Sequence, residues 1–147
     1  MKRRFWYNIT DALGLLMLLG VTVFVLVRWQ SIPAQVPAHF GAGGEITAYG
    51  NKASGLVSLL VFIWIMAVAM EVLGFFPQSW NIPRRTPRAY QAAADTLAVL
   101  RVGLNAFLAY LLLCTALCRP LGPWLLPALI ALVVGTLAYL LIQSFRR

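Results

Sequence analysis

Four long apolar runs dominate this chain, and they leave it few ways to fold. They cover roughly residues 5–29, 53–76, 92–118 and 124–145. Each is long enough to cross the hydrocarbon core of a bilayer as an α-helix, which takes about 20 residues. A backbone in lipid must satisfy its own polar groups, and a helix does so within one segment. We therefore expect an all-α integral membrane bundle of four transmembrane helices, forming a single membrane domain over residues 1–147. Composition agrees, with 61% hydrophobic and 11% charged residues, where a soluble domain is about half apolar and a quarter charged.

The formal charge of +8 would suggest nucleic acid in a soluble protein. Here the basic residues sit at the ends of apolar runs, where they report topology. Lys2, Arg3, Arg4, Arg84, Arg85, Arg88, Arg146 and Arg147 fall on one side, and Arg28, Lys52 and Arg119 on the other. Basic segments resist translocation, so both termini and the loop at 77–91 are expected in the cytoplasm of a bacterial plasma membrane. The loop at 30–52 then faces outward. The N-terminus resembles a secretory signal, but no small-x-small cleavage site follows its apolar stretch, and we expect it to stay as the first span. Trp6, Tyr7 and Trp29 fit interfacial anchors.

The loop at 77–91 holds Pro77, Pro83 and Pro87 beside Arg84, Arg85 and Arg88. Such a composition neither spans a bilayer nor builds a core, and it reads as a short basic loop that touches anionic lipid. Cys114 and Cys118 lie four apart in an apolar run, on one helix face but without disulfide geometry, and read as small packing residues.

The outward loop carries more information. Pro33 and Pro37 fix extended or turn geometry at its start, and the glycines at 41, 43 and 44 permit turns with positive φ. It is expected to pack as a compact cap on the bundle. Within it, Pro37-Ala38-His39-Phe40, then Gly44-Glu45, then Tyr49-Gly50-Asn51-Lys52 is similar to the signature of the domain-of-unknown-function 1648 family, which includes SdpI-like bacterial immunity proteins. The family pattern places proline and aspartate after the Gly-Glu pair, where this chain has Ile46 and Thr47. The resemblance implies a non-enzymatic membrane protein that senses a toxin outside. It also implies capture of a cytoplasmic regulator on the other face, for which Arg84, Arg85 and Arg88 are the candidate contacts.

No catalytic set is readable. Gly-x-Ser-x-Gly, His-Glu-x-x-His and phosphate-cradling loops do not occur, and no serine or cysteine sits beside His39. His39 is the only histidine, and with Glu45 alone it cannot complete a zinc site of three or four protein ligands. We expect no metal and no cofactor. His39, Phe40, Glu45, Tyr49 and Lys52 are instead candidate contacts for a peptide, toxin or lipid.

A second constellation lies within the spans. Glu71 sits roughly 7 Å inside the end of the second span at 1.5 Å per residue, and Arg101 reaches a similar depth on the third. An ion pair between them is expected, with Asn105 one turn further along the Arg101 face and Asp11 and Asp95 nearer the same surface. Pairing two helices is the commoner use of such charges, and an ion or proton path the rarer one. The leading functional expectation is thus binding or sensing at the outer loop. Behind it stand an accessory subunit of a larger membrane complex and a small transporter or channel.

Overall fold

The computed structural model describes residues 5–82 and 85–145. Arg84 and the basic residues at both extreme ends lie outside that set. Four helices follow in order, α1 (Phe5–Val27), α2 (Lys52–Phe75), α3 (Pro87–Ala116) and α4 (Leu125–Phe145), and all four are long and apolar enough to cross a membrane. Such a set is the hallmark of a multi-pass membrane protein. Between α1 and α2 the chain makes a 3-10 turn at Trp29–Ser31 and then an antiparallel hairpin, β1 (Gln35–Phe40) with β2 (Ile46–Asn51). The fold is mostly helical, as expected, and the compact loop between the first two spans is this hairpin.

Local chemistry sets the helix limits. The Asn51 side chain accepts from the backbone of Ala53 at 2.8 Å and starts α2 directly out of β2. The α2 helix stops at Phe75, two residues before Pro77. Thr86 caps α3 by accepting from Ala89 N at 3.2 Å, with Pro87 in the first helical position, where a missing N–H costs nothing. As a result α3 begins at Pro87, and the stretch up to Gln91 that composition assigned to the loop is helical. At the other end of α3, Arg119 N bonds Cys114 O at 2.9 Å and Cys118 N bonds Thr115 O at 3.2 Å. This is the Schellman closure, with Cys118 in the left-handed position at φ 52° that glycine normally takes.

Helix α3 is the axis of the bundle. α1, α2 and α4 each pack mainly against it, while α1 and α2 touch each other far less. One direct tie between those two runs from Trp64 Nε1 to Thr22 Oγ1 at 3.1 Å. The buried face of α3 is rich in small residues, including Ala92, Ala98, Ala109 and Ala116, which let neighbouring backbones approach closely. The main core runs from Leu18 and Val25 on α1 through Ile63 and Leu56 on α2 to Leu108 and Leu112 on α3. It continues into the hairpin through the fully buried Val36.

The hairpin is clamped to the bundle at its tip. Gly44 adopts φ +82° in the turn, its carbonyl accepts from Leu121 N at 2.8 Å, and a Cβ there would collide with the Leu121 backbone. Only glycine meets both demands. The turn between α3 and α4 thereby fixes the height of the hairpin over the helix ends.

Candidate functional site

The hairpin does not lie flat on the bundle. Between β1, the first turns of α2 and the last turns of α3 it leaves a groove of about 650 Å³, whose walls include His39 and Phe40 on β1, Ser58 and Phe62 on α2, and Leu111 and Thr115 on α3. That volume falls within the range of about 300–1,000 Å³ usual for small-molecule sites. The α2 wall is one helical face, since Gly55, Ser58, Leu59 and Phe62 recur at three- and four-residue spacing.

β1 aims His39 through an irregular ladder. Pro37 pairs with Tyr49 and His39 with Ala48, and the register slips on both sides of His39. Bulges of this kind re-aim a side chain. His39 Nδ1 then meets Thr47 Oγ1 at 2.7 Å, and Thr47 Oγ1 donates to the His39 carbonyl at 3.3 Å. A threonine hydroxyl has one proton. Both contacts are hydrogen bonds together only when Nδ1 carries an imidazole proton, which in the neutral ring leaves Nε2 as a bare acceptor. Thr47 occupies the position where the family pattern has aspartate, and here it gives the His39 ring a neutral partner.

The remaining candidates at this end separate by role. Phe40 stands on the groove wall, whereas Tyr49 is 57% exposed on β2, outside the lining. The Glu45 carboxylate folds back over the turn glycines Gly41 and Gly43. Lys52 donates to the carbonyls of Trp29 and Ile32, both at 3.0 Å, and its ammonium sits 5.3 Å from the Trp29 ring centroid. It therefore ties the end of α1 to the start of α2. Cys118 closes the corner beside β1, its thiol 3.7 Å from Gln35 O, and burial pushes that thiol's pKa up. Among the described residues no group of three or more His, Cys, Asp or Glu is placed to hold a metal ion.

At the opposite end of the helices, Arg101 joins three of them. Its guanidinium lies 2.9 Å from Glu71 on α2 and 3.1 Å from Asp11 on α1, and Arg101 and Asp11 are both buried. Gly74 makes room for this, because a Cβ there would stand 2.9 Å from Arg101 Nη1. Asn105, one turn along, packs against Gly14 of α1, where a Cβ would come within 2.8 Å of its amide. The Glu71–Arg101 pair and the shared Asn105 face were readable from helix depth. Asp11 as the second carboxylate was not, because its direction on α1 depends on how α1 rolls against α3.

Asp95 forms a separate polar node with Tyr7, Gln91 and Tyr139, the last donating at 3.1 Å. Of the basic-loop candidates, Arg85 is exposed ahead of α3 and Arg88 lies exposed in its first turn.

Comparison with known proteins bears on the hairpin end. Residues 16–70 match the family model described as Domain of unknown function (DUF1648). That stretch belongs to the DUF1648 family. An uncharacterized protein of Archaeoglobus fulgidus is similar at 28% identity over 78 residues, covering 48% of this chain and 43% of that protein. The match thus spans less than half the length of that relative. No solved structure matches. The DUF1648 stretch contains most of α1, the whole hairpin and α2 up to Met70. It supplies the β1 and α2 walls of the groove, while the α3 wall, Asp11, Glu71 and Arg101 fall outside it.

Proposed function

We propose that this chain is a non-enzymatic plasma-membrane protein of immunity or signalling type, whose hairpin end faces outward and binds an extracytoplasmic amphiphilic ligand. The observation that carries the reading is the 650 Å³ groove, walled by His39 and Phe40 of the motif-bearing hairpin and by α2 and α3. Binding residues are commonly found on loops held by a rigid scaffold, and the clamp at Gly44 and Leu121 provides that rigidity. The excess of lysine and arginine at the opposite end supports cytoplasmic termini. The resemblance to SdpI-like proteins supplies the setting, defence against a membrane-active toxin, and the idea of an inward signal through the basic loop.

The test is protection. Bacteria expressing the chain are challenged with a panel of membrane-active peptides, and survival is compared with cells carrying His39→Ala or Phe40→Ala. Protection by the unaltered chain, lost in both variants at equal membrane expression, is the expected result. Full survival in both variants would overturn the proposal.

A further inference from the structure

The hydrogen-bond inventory of the groove discriminates between the kinds of molecule it can hold. Ser58 and Thr115 are polar wall residues, yet both hydroxyl protons are already committed to their own helices. Ser58 Oγ donates to Ser54 O at 2.6 Å, and Thr115 Oγ1 donates to Leu111 O at 2.8 Å. His39 spends its Nδ1 proton on Thr47, and Pro37 in the same wall has no N–H. The two hydroxyls and the His39 Nδ1 therefore offer no free donor to a ligand. An inserted peptide segment would bury carbonyl groups that they cannot satisfy, and unsatisfied buried carbonyls are strongly disfavoured. A hydrocarbon chain has no such groups.

The shape agrees. From Gly55 to Phe62 the α2 wall runs about 10 Å at 1.5 Å per residue. It passes from the exposed hairpin, where His39 stands, to Phe62, which is 53% exposed on a helix long and apolar enough to cross a bilayer. The groove thus runs from the exposed hairpin, where its one ionisable wall residue His39 stands, down a helix apolar enough to cross a bilayer, the same order in which a membrane lipid presents its head and its tail.

We infer that the groove holds an acyl chain of a bilayer phospholipid, with the head group level with the hairpin. This rests on the reading of the hairpin end as the ligand end, and it names the class of ligand: a lipid chain that enters sideways from the membrane. The groove favours hydrocarbon because its wall hydroxyls are spent on their own helices, and the hairpin roof limits how far the chain can rise.

The experiment uses the full chain in vesicles of phosphatidylethanolamine and phosphatidylglycerol that contain a phospholipid with a diazirine on one acyl chain. After illumination, adducts are mapped by peptide mass spectrometry. Labelling at Leu59, Phe62 and Leu111 is expected to exceed, several-fold, labelling at Val134 and Leu137 of α4, which are exposed apolar residues elsewhere. Ser58→Trp, which fills the groove, should bring groove labelling down to the α4 level and leave α4 unchanged. On the unaltered chain, excess unlabelled long-chain fatty acid should compete, whereas a short apolar peptide should not. Equal labelling of groove and α4, or competition by the peptide alone, would overturn the inference. Loss of protection in His39→Ala alongside uniform labelling would sink the lipid occupant while leaving the hairpin reading intact. Strong groove labelling with protection unaffected would do the reverse.

Discussion

Thr47 holds the His39 ring, Oγ1 to Nδ1 at 2.7 Å, and in doing so decides which nitrogen faces outward. The hydroxyl has one proton and gives it to the His39 carbonyl, so the imidazole proton belongs on Nδ1. Imidazole ¹⁵N shifts of the neutral ring should report that tautomer. Thr47→Asp should keep it, because a carboxylate only accepts. Thr47→Val removes the partner and should give a mixture of tautomers. An Nε2–H tautomer in the unaltered chain would contradict the assignment.

Arg101 is expected to be the least replaceable polar residue of the bundle. It is shared between α1 and α2, which pack on each other so little that its two ion pairs supply much of their mutual registration. Arg101→Leu leaves Asp11 and Glu71 without it in a buried setting. Breaking one partner of a buried ionic group costs about 3–5 kcal/mol. Glu71→Gln and Asp11→Asn retain an acceptor and should cost less. Thermal unfolding in mild detergent checks the order, and a variant Arg101→Leu that melts with the unaltered chain would refute it.

Two glycines should respond oppositely to alanine. Gly44→Ala meets both the left-handed backbone and the Leu121 carbonyl, and it should destabilise the hairpin by at least the 1–2 kcal/mol of the conformational strain alone. Gly135 in α4 has nothing within 4 Å of an added Cβ, so Gly135→Ala should stabilise by up to about 1 kcal/mol through helix propensity. Hydrogen exchange of the hairpin amides and the melting temperature separate the two effects.

Cys118 occupies a glycine position. Cys118→Gly relieves a left-handed strain of about 1–2 kcal/mol, partly offset by the greater freedom of glycine in the unfolded chain. Its melting temperature should therefore rise slightly, while a β-branched Cys118→Val should lower it. The raised thiol pKa means less thiolate at a given pH. Alkylation by iodoacetamide should be slower in the folded chain than in the unfolded one, and should accelerate as the pH rises.

The spans were legible because length and apolarity alone decide them, and α4 matched its expected limits to within a residue at its start. The start of α3 was not, since three prolines and three arginines outweighed a single cap at Thr86. The hairpin was hidden for a different reason. Gln35–Phe40 contains Pro37 and shows no clean alternation, so its strand character comes from pairing with β2 and from burial of Val36. Glu71 and Arg101 could be paired from depth along their helices. The groove could not be anticipated, because its walls come together only when the Leu121 turn pulls the hairpin down over α2 and α3.

If the groove under the hairpin is the ligand site, filling it must remove protection. Ser58→Trp fills the groove from α2, and Val57→Trp places the same ring on the far face of the same helix, about 100° round from Ser58 and further from Phe62. In peptide-challenge survival curves at matched expression, Ser58→Trp is expected to abolish protection and Val57→Trp to preserve it. Undiminished protection with Ser58→Trp, in a protein that folds and reaches the membrane, would show that the ligand does not bind in the groove.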